Sequence, residues 1–145
     1  RGMRTMGLRI RQQMQNAEVL AAALEKDSRI KKVLHPSLAS HPQHELVKKM
    51  YQNGCVTAMM SIEVEPDREK INAFMRKLNV VNYAMTLGGL RTTIAHPCTS
   101  SHYGLPQEFL DDIGITYGLI RVSVGLENVE DLIADFKQAL DVFES

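Results

Sequence analysis

Residues 118–125 read Gly-Leu-Ile-Arg-Val-Ser-Val-Gly, and this stretch predicts a β-strand at the centre of the fold. Side chains along a strand point alternately to its two faces, so every second residue shares a face. The apolar face consists of Ile120, Val122 and Val124. The opposite face consists of Leu119, Arg121 and Ser123. One face can therefore build a core while the other presents a guanidinium group.

Arg121 is an ionic residue inside a strand that is otherwise mainly apolar. A guanidinium offers five donors in a planar fork, which fits a carboxylate or phosphate in bidentate geometry. A lysine in the same place could not make this match. The residues leave two interpretations open. Either Arg121 binds an anionic ligand, or it extends from an edge strand to solvent or pairs with a structural Asp or Glu.

The composition is that of one soluble globular domain, with 145 residues of which 44% are hydrophobic and 23% are charged. Lys+Arg and Asp+Glu both number 17, so there is no basic surplus that would attract nucleic acid. No apolar run is long enough to span a membrane. Cys55 and Cys98 have no C-x-x-C spacing and no secretory leader precedes them, which predicts reduced thiols in a cytoplasmic protein.

The chain begins Arg-Gly-Met-Arg without an initiator methionine and continues directly into a helical pattern. We therefore expect residues 1–145 to be a single domain cut from a longer protein. A long helix over residues 1–28 would lead in from the missing part. Its apolar residues recur at alternating spacings of four and three, as in an amphipathic helix. They are Ile10, Met14, Ala17, Ala21 and Leu24.

The rest of the chain alternates between short strand patterns and helices. A short apolar run covers residues 30–35, and strands are predicted over residues 56–64, 80–84, 92–95 and 118–125. A short helix begins near Pro42 and ends at Asn53-Gly54. Two further helices begin after Asp67 and Asn128, which are predicted N-caps.

Several connections between these strands are too short to hold a crossover helix. We therefore expect an α+β fold, with a mainly antiparallel sheet of four to five strands and helices packed on one face. The other face of this sheet would carry Arg121.

Two short motifs contain residue types that can bind a metal ion or a ligand. Residues 96–102 contain two imidazoles and a thiol, which zinc accepts as ligands, but no fourth ligand is indicated and we predict no metal site. Gly88-Gly89 indicates a tight or ligand-contacting turn. This turn lacks the glycine spacing of a P-loop or of a dinucleotide-binding motif.

Five segments occur in a fixed order along the chain: residues 86–89 (Thr-Leu-Gly-Gly), 96–97, 101–102, 114–127 and 130–140. Together they closely resemble the C-terminal domain of the Cys/Met-metabolism enzymes that depend on pyridoxal 5'-phosphate (PLP). Residues 1–6 and 34–42 are also similar, so the resemblance covers nearly the whole chain. The family includes cystathionine γ-synthase, cystathionine β- and γ-lyases, methionine γ-lyase and O-acetylhomoserine sulfhydrylase.

The resemblance implies the small C-terminal domain of a fold-type I PLP enzyme of trans-sulfuration. Such a lyase or transferase eliminates or replaces a group at Cβ or Cγ of a sulfur-containing or activated-homoserine amino acid. In the family's motif the residue at Arg121 binds the substrate α-carboxylate, and the turn that holds Thr86 and Leu87 helps to hold the same group. Arg91 stands where the family commonly has a Glu that faces the distal end of the substrate. This departure leaves open which reaction and which substrate apply.

The family's Schiff-base lysine and PLP phosphate-binding turn belong to its large domain. The resemblance therefore implies no catalytic and no cofactor-binding residue within 1–145, and no activity for this fragment alone. It also implies a homotetrameric parent enzyme. The residues by themselves leave two other interpretations: a standalone regulatory module that binds an amino acid, and an oligomerisation domain.

Overall fold

A computed structural model describes residues 1–51 and 56–144. The helices are α1 (Met6–Leu24), α2 (His44–Met50), α3 (Arg68–Lys77), α4 (Gln107–Asp112) and α5 (Val129–Leu140). The strands are β1 (Lys32–Leu34), β2 (Met59–Glu63), β3 (Asn82–Tyr83), β4 (Thr93–Ala95) and β5 (Leu119–Ser123). The expected end of a helix at Asn53-Gly54 and the thiol of Cys55 lie outside the described residues.

The strands form one five-stranded sheet in the order β1-β2-β5-β4-β3, so β5 is the central strand. β5 runs antiparallel to both of its neighbours, β2 and β4, and β1 runs antiparallel to β2. β3 and β4 run parallel. The fold is α+β, as predicted, but the prediction of a mainly antiparallel sheet was wrong because this sheet is mixed.

The parallel pair follows from the short length of β3. Asn82 pairs with Thr93 and Tyr83 pairs with Ile94. The connection from the end of β3 to the start of β4 therefore has to return over the length of only two strand residues. Two strand residues span about 7 Å, which residues 84–92 cover without a crossover helix. The prediction of antiparallel pairing assumed that a crossover helix connects any two parallel strands. β3 and β4 are too short to require one.

The core lies between the sheet and the helices α1, α3 and α5. The predicted apolar face of β5 is confirmed, because Ile120, Val122 and Val124 are fully buried. The helices contribute most of the remaining buried apolar residues: Ala17, Leu20, Ala21, Leu24, Ile71, Phe74, Leu132, Phe136, Ala139 and Leu140. The face of β5 that carries Arg121 therefore points away from this core.

Two of the helices begin where their N-cap residues predict. The Asp67 carboxylate accepts the backbone N–H groups of Glu69 and Lys70, and the Asn128 side chain accepts the N–H of Glu130. α4 was not predicted, because its two apolar residues, Phe109 and Leu110, are adjacent and so show no helical period. Among the described residues, no helix combines the length and apolar content needed to cross a membrane.

Asp135 of α5 joins this helix to the connection between α3 and β3. Its carboxylate is 4% exposed and accepts the backbone N–H groups of Asn79, Val80 and Val81 at 2.9 to 3.0 Å. The side chain of Gln138 donates a fourth hydrogen bond at 3.0 Å. Burial alone would raise the pKa of Asp135, but these hydrogen bonds favour the charged form and the pKa is lowered overall.

The end of β5 packs directly against the turn that precedes β4. A Cβ atom on Gly125 would lie 2.5 Å from the carbonyl oxygen of Leu90 and 2.5 Å from the carbonyl carbon of Arg91. The N–H of Leu126 donates to the same Leu90 oxygen at 2.8 Å. Only a residue without a side chain allows the two backbones to approach this closely.

The substitution Asp135→Asn should lower the free energy of unfolding by about 2–3 kcal/mol, because a neutral amide replaces a charged acceptor of several hydrogen bonds. A carboxyl group with a lowered pKa stabilises the fold above its unfolded-state value of about 3.9, and this contribution is lost as the pH falls through the folded-state pKa. The deficit should therefore shrink below about pH 4. Urea denaturation measures it, with the exposed Asp112→Asn as control. Equal deficits for the two variants at neutral pH would contradict the role of Asp135.

The substitution Gly125→Ala should cost about 1–3 kcal/mol, because the added methyl group overlaps the backbone of the turn. Gly7→Ala is the matched control, since no other atom lies within 4 Å of the Cβ it would add in α1. We expect that control to be neutral or slightly stabilising, as alanine favours helices. Thermal denaturation of both variants tests this, and a Gly125→Ala protein as stable as Gly7→Ala would refute the close packing.

Candidate functional site

Arg121 lies in the middle of the central strand, on the face away from the core. Its direct neighbours across the sheet are Ser61 on β2 and Ala95 on β4. Both neighbours are small, so they leave space beside the long arginine side chain. Arg121 is half-buried, whereas the residues before and after it in the strand are fully buried.

The guanidinium of Arg121 has no partner within residues 1–51 and 56–144. No carboxylate among them lies within ion-pair distance, and the buried Nε atom makes no hydrogen bond. Glu63 lies on the same face, but its Oε1 accepts the hydroxyl of Thr116 at 2.9 Å. A buried donor without a partner is costly, and it becomes favourable when an acceptor reaches it. The arrangement therefore supports the anion-binding interpretation over a structural ion pair.

A turn formed by residues 86–91 lies over the same face of the sheet. The N–H of Gly88, a residue with φ of +66°, donates to the hydroxyl of Ser123 at 3.1 Å. The hydroxyl of Thr93 donates to the carbonyl of Thr86, also at 3.1 Å. Ser123 shares a face with Arg121 two residues away, so these contacts hold the turn beside the guanidinium.

The far end of this turn is fixed by a carboxylate. Glu127 accepts the N–H of Thr92 at 2.6 Å and the hydroxyl of Thr92 at 2.8 Å. That hydroxyl in turn accepts the N–H of Gly125 at 2.9 Å. Sequence reasoning did not assign these roles. The sequence did contain a signal for them. The strand alternation continues beyond β5, so four residues stand at alternate positions: Arg121, Ser123, Gly125 and Glu127.

Two buried amide side chains of α1 also contact this region, and sequence reasoning missed them. Gln13 and Asn16 are each 3% exposed. Gln13 donates to the carbonyl of Gly89 at 2.6 Å, and Asn16 donates to the carbonyls of Gly125 and Glu127 at 3.1 and 2.9 Å. The sequence shows these polar residues next to the apolar face of the helix, which was a signal of burial. It could not show their partners, which are far away in sequence.

The structure brings some of the predicted site residues together. Thr86 and Leu87 lie in the turn that Ser123 and Thr93 hold, and their side chains are exposed. Arg91 ends the turn and is also exposed. Its side chain makes no hydrogen bond or ion pair with any residue of the described ranges. No hydrogen bond joins Arg121 to these three residues either.

His96 and Cys98 have structural partners. The Nδ1 atom of His96 lies 2.9 Å from the Thr99 hydroxyl, and its Nε2 lies 2.6 Å from the carbonyl of Tyr117, whose ring it meets edge-on. The Cys98 thiol donates to the carbonyl of Thr116 at 3.5 Å, and burial raises its pKa. Over residues 1–51 and 56–144, no group of His, Cys, Asp and Glu is arranged to hold a metal ion.

A cavity of about 260 Å³ lies elsewhere, between α1, α2 and the loop after β1. Its lining residues include Glu18, Pro36, His44, Val47 and Tyr51. Burial raises the pKa of the Glu18 carboxyl. None of the cavity's lining residues belongs to the strands or turn around Arg121, so it is separate from the candidate site.

The sequence matches one protein family along almost its whole length. A family model described as Cys/Met metabolism PLP-dependent enzyme matches residues 1–141. A cystathionine beta-lyase of Lactococcus lactis subsp. cremoris is 39% identical over 141 residues, which are 97% of this chain and 36% of that protein. An L-methionine gamma-lyase of Porphyromonas gingivalis is 41% identical, over 97% of this chain and 35% of that protein.

Solved structures agree with these matches. The cystathionine gamma synthase of Xanthomonas oryzae pv. oryzae in complex with cystathionine superposes with a TM-score of 0.90 at 36% identity, over 99% of this chain and 37% of that one. A Campylobacter jejuni protein that carries N'-pyridoxyl-lysine-5'-monophosphate gives a TM-score of 0.91 at 38% identity, over 97% of this chain and 33% of that one. The chain thus spans about a third of the length of these relatives. It belongs to the Cys/Met-metabolism family of PLP-dependent enzymes.

Proposed function

We propose that residues 1–145 form the C-terminal, substrate-binding domain of a PLP-dependent enzyme of sulfur amino-acid metabolism. The reaction would be an elimination or replacement at Cβ or Cγ of a sulfur-containing or activated-homoserine amino acid. The observation that carries the proposal is the unpartnered guanidinium of Arg121 beside a turn with exposed side chains. The homotetrameric state and cytoplasmic location expected from the sequence belong to the same proposal.

Arg121 would anchor the α-carboxylate of the substrate. Two parallel N–H···O contacts fix both the distance and the plane of the carboxylate, which orients the adjoining Cα atom. Ser61 and Ala95 leave space for the ligand on either side. Thr86 and Leu87 would contact it from the turn above the sheet, whose backbone is already fixed by Ser123 and Thr93.

No lysine of the described strands lies beside Arg121. Lys32 is the lysine among the strand residues described, and it lies on the edge strand opposite Glu63, two strands away from Arg121. PLP supplies an electron sink for the reaction when it is bound. We infer that its lysine and phosphate contacts lie in another part of the enzyme, so the fragment would bind and orient substrate but show no activity alone.

Arg91 would influence which substrates are accepted. Its exposed side chain projects from the end of the turn. The hydrogen bond from the N–H of Thr92 to Glu127 fixes the backbone there. No carboxylate among the described residues neutralises it. A cation in this position disfavours a substrate whose distal end is an ammonium group and favours one that ends in a neutral or anionic group.

The substitution Arg121→Ala in the full-length enzyme should lower kcat/KM by about a hundredfold or more, which corresponds to about 3 kcal/mol for a charged hydrogen-bonded pair. Arg121→Lys should recover only part of this loss, because a point charge does not fix the carboxylate plane. PLP content should not change. The assay uses cystathionine, methionine, cysteine and activated homoserines, with the exposed Arg76→Ala as control. Near-normal kcat/KM in Arg121→Ala with full PLP content would overturn the assignment.

The substitution Arg91→Glu should shift relative kcat/KM toward cystathionine, because a carboxylate attracts the distal ammonium that an arginine repels. We expect a change of about tenfold in the ratio between cystathionine and a neutral substrate such as methionine. The exposed Arg68→Glu makes the same charge change on α3 and serves as control. An unchanged ratio in Arg91→Glu, or an equal shift in Arg68→Glu, would show that Arg91 does not face the substrate.

A further inference from the structure

Helix α1 contributes a contact to the turn over Arg121 that does not come from the sheet. Gln13 is almost completely buried, and its amide reaches across to the carbonyl of Gly89 at 2.6 Å. Asn16 lies one helical turn further along and holds the carbonyls of Gly125 and Glu127. Both side chains thus use a rigid helix to fix the backbone around the candidate site.

We propose that Gln13 is a positioning residue that sets the place of the Gly88-Gly89 turn relative to Arg121 and thereby controls substrate affinity. This inference rests on the proposed function. Gln13 would act through the turn and would not touch the substrate. Asn16 holds the strand end in the same way.

The contacts of the turn explain why Gln13 has a separate role. Three other fixed atoms of the turn and its end bond to the chain of β5 and its extension: Gly88 to Ser123, Leu90 to Leu126, and Thr92 to Glu127. The carbonyl of Thr86 is held by Thr93 of the neighbouring strand β4. Among the described residues, Gln13 is the contact to the turn that comes from a helix, so it limits the movement of the turn away from the sheet.

The sequence of the turn makes this contact important. Gly88 and Gly89 have no side chains that could pack, and glycine has the widest backbone freedom of any residue. The hydrogen bond from Gln13 therefore restricts a carbonyl whose own residue has no side chain to hold it. A mobile turn must be ordered when the substrate binds, and this ordering reduces the affinity, so a loose turn should weaken binding of the carboxylate.

Helix α1 is suited to this support because its inner face is anchored. Ala17, Leu20, Ala21 and Leu24 follow Gln13 and Asn16 along the helix and are fully buried in the core. The helix cannot shift without opening these contacts. Support of a binding group from a rigid element in this way gives the precision that a loop alone lacks.

The test is Gln13→Met in the full-length holoenzyme, since methionine has a similar volume and no N–H donor. Gln15→Met on the exposed side of the same helix is the matched control. We expect KM for the amino-acid substrate to rise about tenfold with kcat changed less than about twofold, and with PLP content unchanged. A variant that merely unfolds would lose PLP content and kcat as well. Gln13→Glu, which also lacks the donor, replaces Gln13→Met if the latter fails to fold.

The same change in an Arg121→Ala background separates the two proposals. If Gln13 acts through the carboxylate site, Gln13→Met should raise KM no further once Arg121 is removed. An equal rise in both backgrounds, or an unchanged KM in the wild-type background, would overturn the positioning role. An Arg121→Ala enzyme with normal kcat/KM would instead overturn the proposed function itself.

Hydrogen exchange gives a readout that does not depend on activity. The Gly88 N–H, which donates to Ser123, should exchange about tenfold faster in Gln13→Met than in Gln15→Met. The N–H of Ile120 in the core strand should be unaffected. Unchanged exchange at Gly88 would mean that the turn holds its place without Gln13 and would also overturn the proposal.

Discussion

A guanidinium in the central strand, with no counter-ion among residues 1–51 and 56–144, is the constraint on which the rest of this structure depends. Placing such a charge partly out of water is unfavourable unless an anion can reach it. The strand holds Arg121 there because its neighbours Ile120 and Val122 are fully buried on the other face. A register slip of one residue would move the charge into the core and the apolar residues out of it. The core therefore fixes the direction in which Arg121 points.

Among the described residues, no carboxylate lies within ion-pair distance of Arg121, and the nearby acidic side chains accept other donors. Glu63 accepts the hydroxyl of Thr116, and Glu127 accepts both donors of Thr92. Asp135 accepts backbone donors on the helix side of the sheet. These carboxylates hold loops in place, so each one supports the scaffold without neutralising the guanidinium.

The segment from Arg121 to Glu127 combines the proposed binding residue with the support of the turn through one alternating pattern. Ser123 holds the near end of the turn and Glu127 holds its far end. Gly125 lies between them and lets the two backbones meet. Because these residues share one strand and its extension, Arg121 and the support for the turn cannot move independently. This explains in physical terms why Ser, Gly and Glu follow the arginine at alternate positions.

The sequence by itself determined the parts that depend on short-range order. The two faces of β5 and the N-caps Asp67 and Asn128 follow from period and hydrogen-bonding chemistry within a few residues. The family resemblance followed from five short motifs, at residues 86–89, 96–97, 101–102, 114–127 and 130–140, and a family model matches residues 1–141. Tertiary structure alone decided whether Arg121 has a partner, and it also decided the parallel pairing of β3 and β4. It likewise decided the contacts of Gln13 with Gly89, 76 positions away, and of Asn16 with Glu127, 111 positions away. Such contacts depend on how the helix packs on the sheet, and local periodicity carries no information about which distant carbonyl a buried amide will meet.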